Sequence, residues 1–249
     1  MDGVRPNTFG GAPGILPFAG VASECGALFG TDYYGDDDYC SADACGAVYE
    51  LTPPATPAGA WTETTIHTFT GRPGDGGGSE AALTVGPGGM LYGTTRYGGS
   101  GACAQDAGAY PGCGTVFQLT PPATAGETWT EAVIYSFTGI DGDGANPSAS
   151  VVVGKNGALY GTTQNRGSAT SACPSSYYVL AGCGTAFELT PPAAPGGTWT
   201  ENGLHSFSGQ NGDGAIPVAG LALSSTGALY GTTPAGGTAG KGTVFAIKP

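Results

Sequence analysis

The phrase Leu-Tyr-Gly-Thr-Thr occurs at residues 91–95, 159–163 and 229–233, and a related copy, Leu-Phe-Gly-Thr-Asp, occupies residues 28–32. The four copies begin 63, 68 and 70 positions apart. The chain also contains 48 Gly and 19 Pro residues among its 249. A repeat of this length in such a composition is typical of a tandem array of small β-sheets.

Three further phrases recur with the first. One is a Gly-Thr-Val-Phe-like run followed by Leu-Thr-Pro-Pro, at residues 46–54, 114–122 and 184–192. Another runs from Trp-Thr-Glu to a Phe, at residues 61–69, 129–137 and 199–207, and a third is a run of small apolar residues at 81–85, 148–153 and 218–223. Short runs bounded by Gly and Pro predict strands, four to a repeat, and no segment has the apolar period of a helix.

Four strands per repeat predict an all-β fold, a β-propeller of four four-stranded blades. The last copy lacks a Trp-Thr-Glu segment, and residues 4–9 align with the end of that missing strand. We therefore expect the N-terminal strand to pair into the last blade as an edge strand, where Pro6 is acceptable. The prediction is one domain over residues 1–249, with blades at about 10–69, 70–137, 138–207, and 208–249 plus 1–9. An open arc completed by a second chain is the alternative.

The composition of the chain argues against some classes of binding partner. The formal net charge is −12 with only seven Lys and Arg residues, so a nucleic-acid backbone would be repelled. No apolar run approaches the length of a membrane span, so no membrane insertion is expected. A small-molecule or glycan ligand remains, and the protein is expected to be a monomer or a dimer. We expect that a secretion signal has been removed and a start Met added.

Six of the seven cysteines fall in pairs between the second and third strands of successive repeats. The pairs are Cys40 with Cys45, Cys103 with Cys113, and Cys173 with Cys183. Zinc is the competing interpretation, but there is no Cys-x-x-Cys pair and only two histidines occur, His67 and His205. Three local disulfides are the prediction, and with them a secreted, extracellular or periplasmic location. Cys25 is expected to be a free, partly buried thiol.

Alternating strand directions place two sets of connections on one rim. The cysteine loops join the second strand to the third, and the acidic turns at 74–76, 141–144 and 211–214 join the fourth strand to the next repeat. The cysteine loops are the longest and most variable connections, which favours this rim as the binding face.

Carboxylates on that rim suggest Ca²⁺, which prefers oxygen ligands. Asp-Gly is equally an ordinary turn signal, and a run of three aspartates is equally a solvated acidic loop. The predicted metal ligands are Asp36, Asp37, Asp38, Asp75, Asp141, Asp143 and Asp213.

Departures from the repeat are the strongest functional signal. Asp32 replaces the last Thr of the phrase, and the next position holds Tyr33, Arg96, Gln164 or Pro234 in turn. Asp32 and Arg96 are therefore the predicted catalytic residues, although aromatic packing of long loops would also explain the tyrosines. His67 and His205 align with Tyr135 on an outer strand and are read as structural. The predicted ligand-binding residues are Tyr33, Tyr34, Tyr97, Tyr110, Gln164, Tyr177 and Tyr178.

Together, Leu-Tyr-Gly-Thr-Thr, Gly-Thr-Val-Phe-Gln-Leu-Thr-Pro-Pro, Trp-Thr-Glu…Phe and Gly-Asp-Gly-Ala-Asn-Pro resemble the GloVer-type tandem repeat of secreted bacterial proteins. The resemblance covers nearly the whole chain. It implies an exported, propeller-like protein and transfers no catalytic residue. The first repeat departs most, because it lacks the Gly-Asp-Gly turn and the second Thr.

Two functions are expected from these features. The first is a calcium-dependent hydrolase of lactones or esters, acyl-homoserine lactones included, in which a metal polarises the carbonyl and a carboxylate activates water. Glycosides are the second substrate class to test. The alternative is a non-catalytic carbohydrate-binding or adhesion module.

Overall fold

The computed structural model describes residues 17–34, 45–56, 59–71, 73–103, 112–124, 126–168, 173, 182–194 and 196–249. Within these ranges the chain is all-β, with two single 3₁₀ turns at Pro87–Gly89 and Lys155–Gly157. The all-β prediction is confirmed.

Every repeat forms its own antiparallel sheet, and the strands are hydrogen-bonded in the order in which they occur along the chain. Sheet 1 contains β1 (Ala22–Glu24), β2 (Ala27–Asp32), β3 (Ala47–Thr52) and β4 (Thr62–Thr68). Sheet 2 contains β6 (Thr84–Val85), β7 (Leu91–Thr95), β9 (Thr115–Thr120) and β10 (Thr130–Ser136). Sheet 3 contains β12 (Val152–Val153), β13 (Leu159–Thr163), β15 (Thr185–Thr190) and β16 (Thr200–Ser206). Sheet 4 has three strands, β18 (Ala222–Leu223), β19 (Leu229–Thr233) and β21 (Thr243–Ile247).

Three two-stranded ribbons join the sheets at one rim. They are β5 (Gly76–Gly77) with β8 (Tyr97–Gly98), β11 (Gly144–Ala145) with β14 (Asn165–Arg166), and β17 (Gly214–Ala215) with β20 (Ala235–Gly236). One strand of each ribbon follows an acidic turn and the other opens the next connection between a second and a third strand. The two sets of connections therefore lie on the same rim, as the alternation of strands predicts.

The repeated phrases have local structural causes. An aromatic ring of the third strand lies across the Gly of Leu-Tyr-Gly-Thr-Thr, so that a Cβ on Gly161 would stand 2.5 Å from Phe187. The last Thr of the phrase shares a hydrogen bond with the first residue of the third strand, with Thr163 Oγ1 2.8 Å from Thr185 Oγ1. In each acidic turn one Asp accepts hydrogen bonds from the turn's own backbone. These are the contacts that the sequence repeats.

Consecutive sheets pack face to face. We call the face that meets the preceding sheet the front face, and the face that meets the following sheet the back face. Phe69 from the end of sheet 1 packs edge-on against Phe117 of sheet 2, with ring centroids 4.9 Å apart. The equivalent pairs, Phe137 with Phe187 and Phe207 with Phe245, are separated by 5.1 and 4.9 Å. All but Phe245 are fully buried, so these pairs form the cores between sheets.

The back face of sheet 4 is uncovered in the part of the chain that the structure describes. Val244 is 81% exposed, whereas its counterparts Val48, Val116 and Ala186 are fully buried. Tyr230 is 47% exposed and its counterpart Tyr92 only 5%. The described sheets form an open series, and the strand predicted at residues 4–9 lies outside the described residues.

Candidate functional site

The predicted rim carries Asp32 at the end of β2, on the front face of sheet 1. Asp32 is fully buried, and neither carboxylate oxygen has a hydrogen-bond partner within the described ranges. Ala47 stands opposite it, where the other repeats provide a Thr hydroxyl. Burial, and then repulsion by Glu63, raises the pKa of the Asp32 carboxyl to about 7. The repeat's Thr pair has therefore been replaced by an isolated carboxyl group whose pKa lies near neutrality.

The position after Asp32 and its equivalents faces a residue about sixteen positions earlier, and each pair has its own chemistry. Arg96 Nη1 donates to Glu80 Oε1 at 2.8 Å, and Gln164 Nε2 donates to Ser148 Oγ. In the first repeat the ring of Tyr33 packs edge-on against Phe18, with centroids 5.5 Å apart. These side chains, singled out because they vary, are thus held by matched neighbours.

An aromatic cluster joins the first two repeats on this rim. Tyr33 Oη lies 3.5 Å from Tyr97 Oη, and the rings of Tyr33 and Tyr34 are 4.6 Å apart. The guanidinium carbon of Arg96 lies 5.5 Å from the Tyr97 ring centre. Burial, followed by the hydrogen bond to Tyr97, raises the pKa of Tyr33 above its ordinary range. The structure therefore brings Arg96, Tyr33, Tyr34 and Tyr97 together.

Each acidic turn uses its Asp internally. Asp75 Oδ2 accepts from Thr70 N and Oγ1 at 2.7 and 2.6 Å, and Oδ1 accepts from Gly76 N at 2.6 Å. Asp143 and Asp213 repeat this pattern in the following turns. Asp141 lies exposed at a position with φ of 53°. Asp75, Asp143 and Asp213 therefore close their own turns, and calcium binding at these turns stays a prediction.

Several predicted site residues lie outside the described ranges. They are Asp36, Asp37, Asp38, Tyr110, Tyr177 and Tyr178.

Disulfides cross-link the cysteine loops on this rim. Cys103–Cys113 and Cys173–Cys183 are bonded as predicted. Cys45 is also disulfide-bonded, and its predicted partner Cys40 lies outside the described residues. Cys25 is free as predicted, but it is exposed, because it occupies a tight turn between β1 and β2 rather than a packed position. Two described disulfides are compatible with an extracellular or periplasmic protein.

The cysteine carbonyls also tie each loop to the next repeat. The backbone oxygens of Cys45, Cys113 and Cys183 accept hydrogen bonds of 2.7, 2.7 and 2.8 Å from Gly78, Asn146 and Ile216. Each acceptor is the second cysteine of its loop, and each donor comes shortly after an acidic turn. A disulfide at this cysteine therefore helps to position the start of the following sheet as well as its own loop.

A cleft of about 830 Å³ lies between sheets 2 and 3, and sequence reasoning did not find it. Trp199 and Tyr92 meet edge-on in its wall with ring centroids 6.3 Å apart, and Met90, Gln118 and Pro192 also line it. The cleft involves the Thr-Pro-Pro connection, which the sequence places on the rim opposite the cysteine loops. The sequence signal for the cleft was present in the repeated Pro-Pro and Trp-Thr-Glu phrases, which were interpreted only as signs of strands and their ends.

A smaller cleft of about 480 Å³ occupies the equivalent place between sheets 1 and 2. Trp129 lines it and packs edge-on against Phe29, with ring centroids 5.4 Å apart. The two clefts show that aromatic walls recur where consecutive sheets meet.

The described residues contain no helix long and apolar enough to cross a membrane.

Comparison with known proteins identifies the repeat. The family described as the Gloeobacter/Verrucomicrobia repeat matches residues 103–249. Among curated proteins, none matches the chain. A crystal structure of a protein of unknown function from Dyadobacter fermentans DSM 18053 aligns with a TM-score of 0.47 at 14% identity. The alignment covers 87% of this chain and 61% of that one, so this chain spans less than two thirds of its structural neighbour.

Proposed function

We propose that this chain, which belongs to the Gloeobacter/Verrucomicrobia repeat family, is an exported, propeller-type module that binds carbohydrate in the cleft between sheets 2 and 3. The observation that carries the proposal is the aromatic and proline-lined wall around Trp199 and Tyr92. The proposed location, secreted or periplasmic, follows from the disulfides.

The cleft suits a sugar ring in size and chemistry. Its volume of about 830 Å³ lies within the roughly 300–1,000 Å³ of small-ligand sites. Trp199 is part-buried, so one side of its indole packs on Tyr92 and the rest remains available to the cleft. Aromatic rings bind the C–H faces of pyranose rings, and the Gln118 and Asn156 amides add polar groups at the wall.

Glycan-array screening followed by calorimetry tests this proposal. Ala193 is exposed and lines the cleft, so Ala193→Arg fills the cleft without touching the core. Ala55 holds the equivalent exposed position in the first repeat, and Ala55→Arg is the matched control. We expect a glycan that quenches tryptophan fluorescence, with affinity lost in the first variant and kept in the second. Equal affinity in both variants would remove the cleft from the site.

A calcium-dependent hydrolase is the second candidate, and the Asp32 carboxyl is the specific observation in its favour. A pKa of about 7 suits a general base at physiological pH. Asp32 is fully buried, so a substrate would require this end of β2 to open. Lactones, acyl-homoserine lactones first, and then esters and glycosides form the substrate panel. Turnover that survives a calcium chelator, or survives Asp32→Asn, would exclude this mechanism.

Ring closure is part of the proposal. In the other sheets the residue before the terminal Phe pairs with the first residue of the third strand, as Ser206 pairs with Thr185. The same register would place Thr8 opposite Thr243. Cysteines introduced at both positions, in a Cys25→Ser background, should cross-link within one chain. A cross-link between chains would favour instead the open arc completed by a second copy.

A further inference from the structure

Two carboxylates and an imidazole meet where sheet 1 joins sheet 2. His67 comes from β4, Asp75 from the acidic turn that follows it, and Glu131 from β10 of the next sheet. One ligand atom from each lies within 4.8 Å of the other two, and His67 Nε2 is 3.8 Å from Asp75 Oδ1. The sequence separates His67 and Glu131 by a whole repeat, so only the packing of the sheets creates this cluster.

The cluster has unused ligand atoms. His67 Nε2 and Glu131 Oε1 are buried from solvent and make no hydrogen bond in the described structure, although His67 Nε2 lies within ion-pair distance of Asp75 Oδ1. Asp75 Oδ1 accepts one hydrogen bond, from Gly76 N–H, and a carboxylate oxygen has a second lone pair. Buried polar atoms are normally paired, so two such atoms pointing to one place require an explanation.

We infer that His67, Asp75 and Glu131 form a binding site for a divalent transition-metal ion of the zinc type, separate from the proposed glycan cleft. An imidazole nitrogen with two carboxylate oxygens is a ligand set that suits Zn²⁺, with water in the remaining position. Tetrahedral ligands with bonds of about 2.0–2.2 Å lie roughly 3.4 Å apart. The observed separations of 3.8–4.8 Å would shorten to that spacing when an ion binds.

A divalent cation at this place would neutralise the two carboxylates, which lie close together beside His67. The three residues as a whole are part-buried.

The repeat provides internal controls. The equivalent of His67 between sheets 2 and 3 is Tyr135, beside Asp143 and Glu201, and this place is an open cleft of about 450 Å³. His67 and Tyr135 pack edge-on against the Phe two residues later, with centroids 4.7 and 5.0 Å away. The two rings therefore occupy the same position, and each can be exchanged for the other.

Between sheets 3 and 4 only two of the three ligands are present. His205 Nε2 lies 3.1 Å from Asp213 Oδ1, and sheet 4 has no described fourth strand to supply the Glu. A His–Asp pair without the third ligand is expected to bind the ion weakly, which makes His205 the negative control.

Zinc binding to the apo protein, prepared in a Cys25→Ser background, tests the inference by calorimetry and by metal analysis after dialysis. We expect one Zn²⁺ per chain, loss of affinity by at least about 100-fold in His67→Tyr and in Glu131→Gln, and little change in His205→Tyr. Tyr135→His should create a second site and raise the stoichiometry to two. Cobalt substitution should give the visible absorption bands of a site with nitrogen and oxygen ligands.

Three results would overturn the proposed metal site. Absence of Zn²⁺ binding, or unchanged binding in folded His67→Tyr, overturns the site. Stronger binding of Ca²⁺ than of Zn²⁺ to this cluster also overturns it, because calcium does not favour imidazole. Circular dichroism of each variant verifies folding, and glycan binding in His67→Tyr is expected to persist.

Discussion

Replacing Asp32 with Asn should change the pH dependence of stability, because this buried carboxyl has a strongly raised pKa. In the folded protein the pKa of Asp32 is about 7, against an ordinary value of 3.8. Folding therefore favours the protonated carboxyl. This contribution to stability is fully present below the unfolded pKa, falls as pH rises through about 4 to 7, and is lost above the folded pKa.

The magnitude follows from the size of the shift. About three pKa units correspond to about 4 kcal/mol between the two extremes of pH. About 3 kcal/mol of this lies between pH 4.5 and pH 8.5, because the unfolded Asp is already largely ionised at pH 4.5. Asp32→Asn removes the titration, so its advantage over the wild type should grow by about 3 kcal/mol between those two pH values. Comparing the change across pH cancels the constant cost of burying the amide.

Urea unfolding followed by tryptophan fluorescence measures this difference, with Asp141→Asn as the control at an exposed turn position. The control should follow the wild-type pH profile. Parallel profiles for the wild type and Asp32→Asn, with unchanged m-values, would refute the reasoning. They would mean that the carboxyl is solvated or paired in solution.

Three further substitutions test the packing by the same unfolding assay. Gly161→Ala should destabilise by about 1–3 kcal/mol, because its Cβ meets an aromatic ring at 2.5 Å, whereas Gly203→Ala meets nothing within 4 Å and should be tolerated. Cys113→Ala opens a bridge between residues ten apart and should cost about 2–3 kcal/mol, and reductant should cost the wild type more, because it opens the other bridges as well. Val116→Lys buries a charge between sheets and should cost more than about 4 kcal/mol, while Val244→Lys, on the exposed counterpart, should change stability by less than about 0.5 kcal/mol where that face stays open; a cost equal to that of Val116→Lys would show instead that the ring closes over it.

The strands were predictable because each repeated phrase has a cause within a few residues of it. The Gly of Leu-Tyr-Gly-Thr-Thr is required by the aromatic ring on the next strand, and the Asp of Gly-Asp-Gly closes its own turn. Such contacts recur in every copy, and a single sequence with internal repeats displays them as an alignment. The common rim followed from counting strand reversals, and the ribbons between sheets confirm it.

The site was less predictable because it depends on neighbouring sheets. The variable residues Arg96 and Gln164 looked functional, yet each has a partner that varies with it, Glu80 or Ser148, which a reading of one position at a time does not reveal. The cleft between sheets 2 and 3 was not predicted because its wall combines Trp199 with Tyr92, from different repeats. The approach of Glu131 to His67 was not predicted for the same reason, since it occurs only across the junction of two sheets.

The exposed back face of sheet 4 has a consequence for the stability of the array of sheets. Each junction between sheets contains the same kind of Phe pair and the same packing of one sheet on the next. The interaction energy of a junction therefore depends on the two sheets that form it and little on the number of sheets in the protein. Val244 and Tyr230, which are exposed on the back face of sheet 4, correspond to residues that the other junctions bury. The ring closure proposed above would therefore add one more junction of the same kind, and its stability should resemble that of the junctions already described.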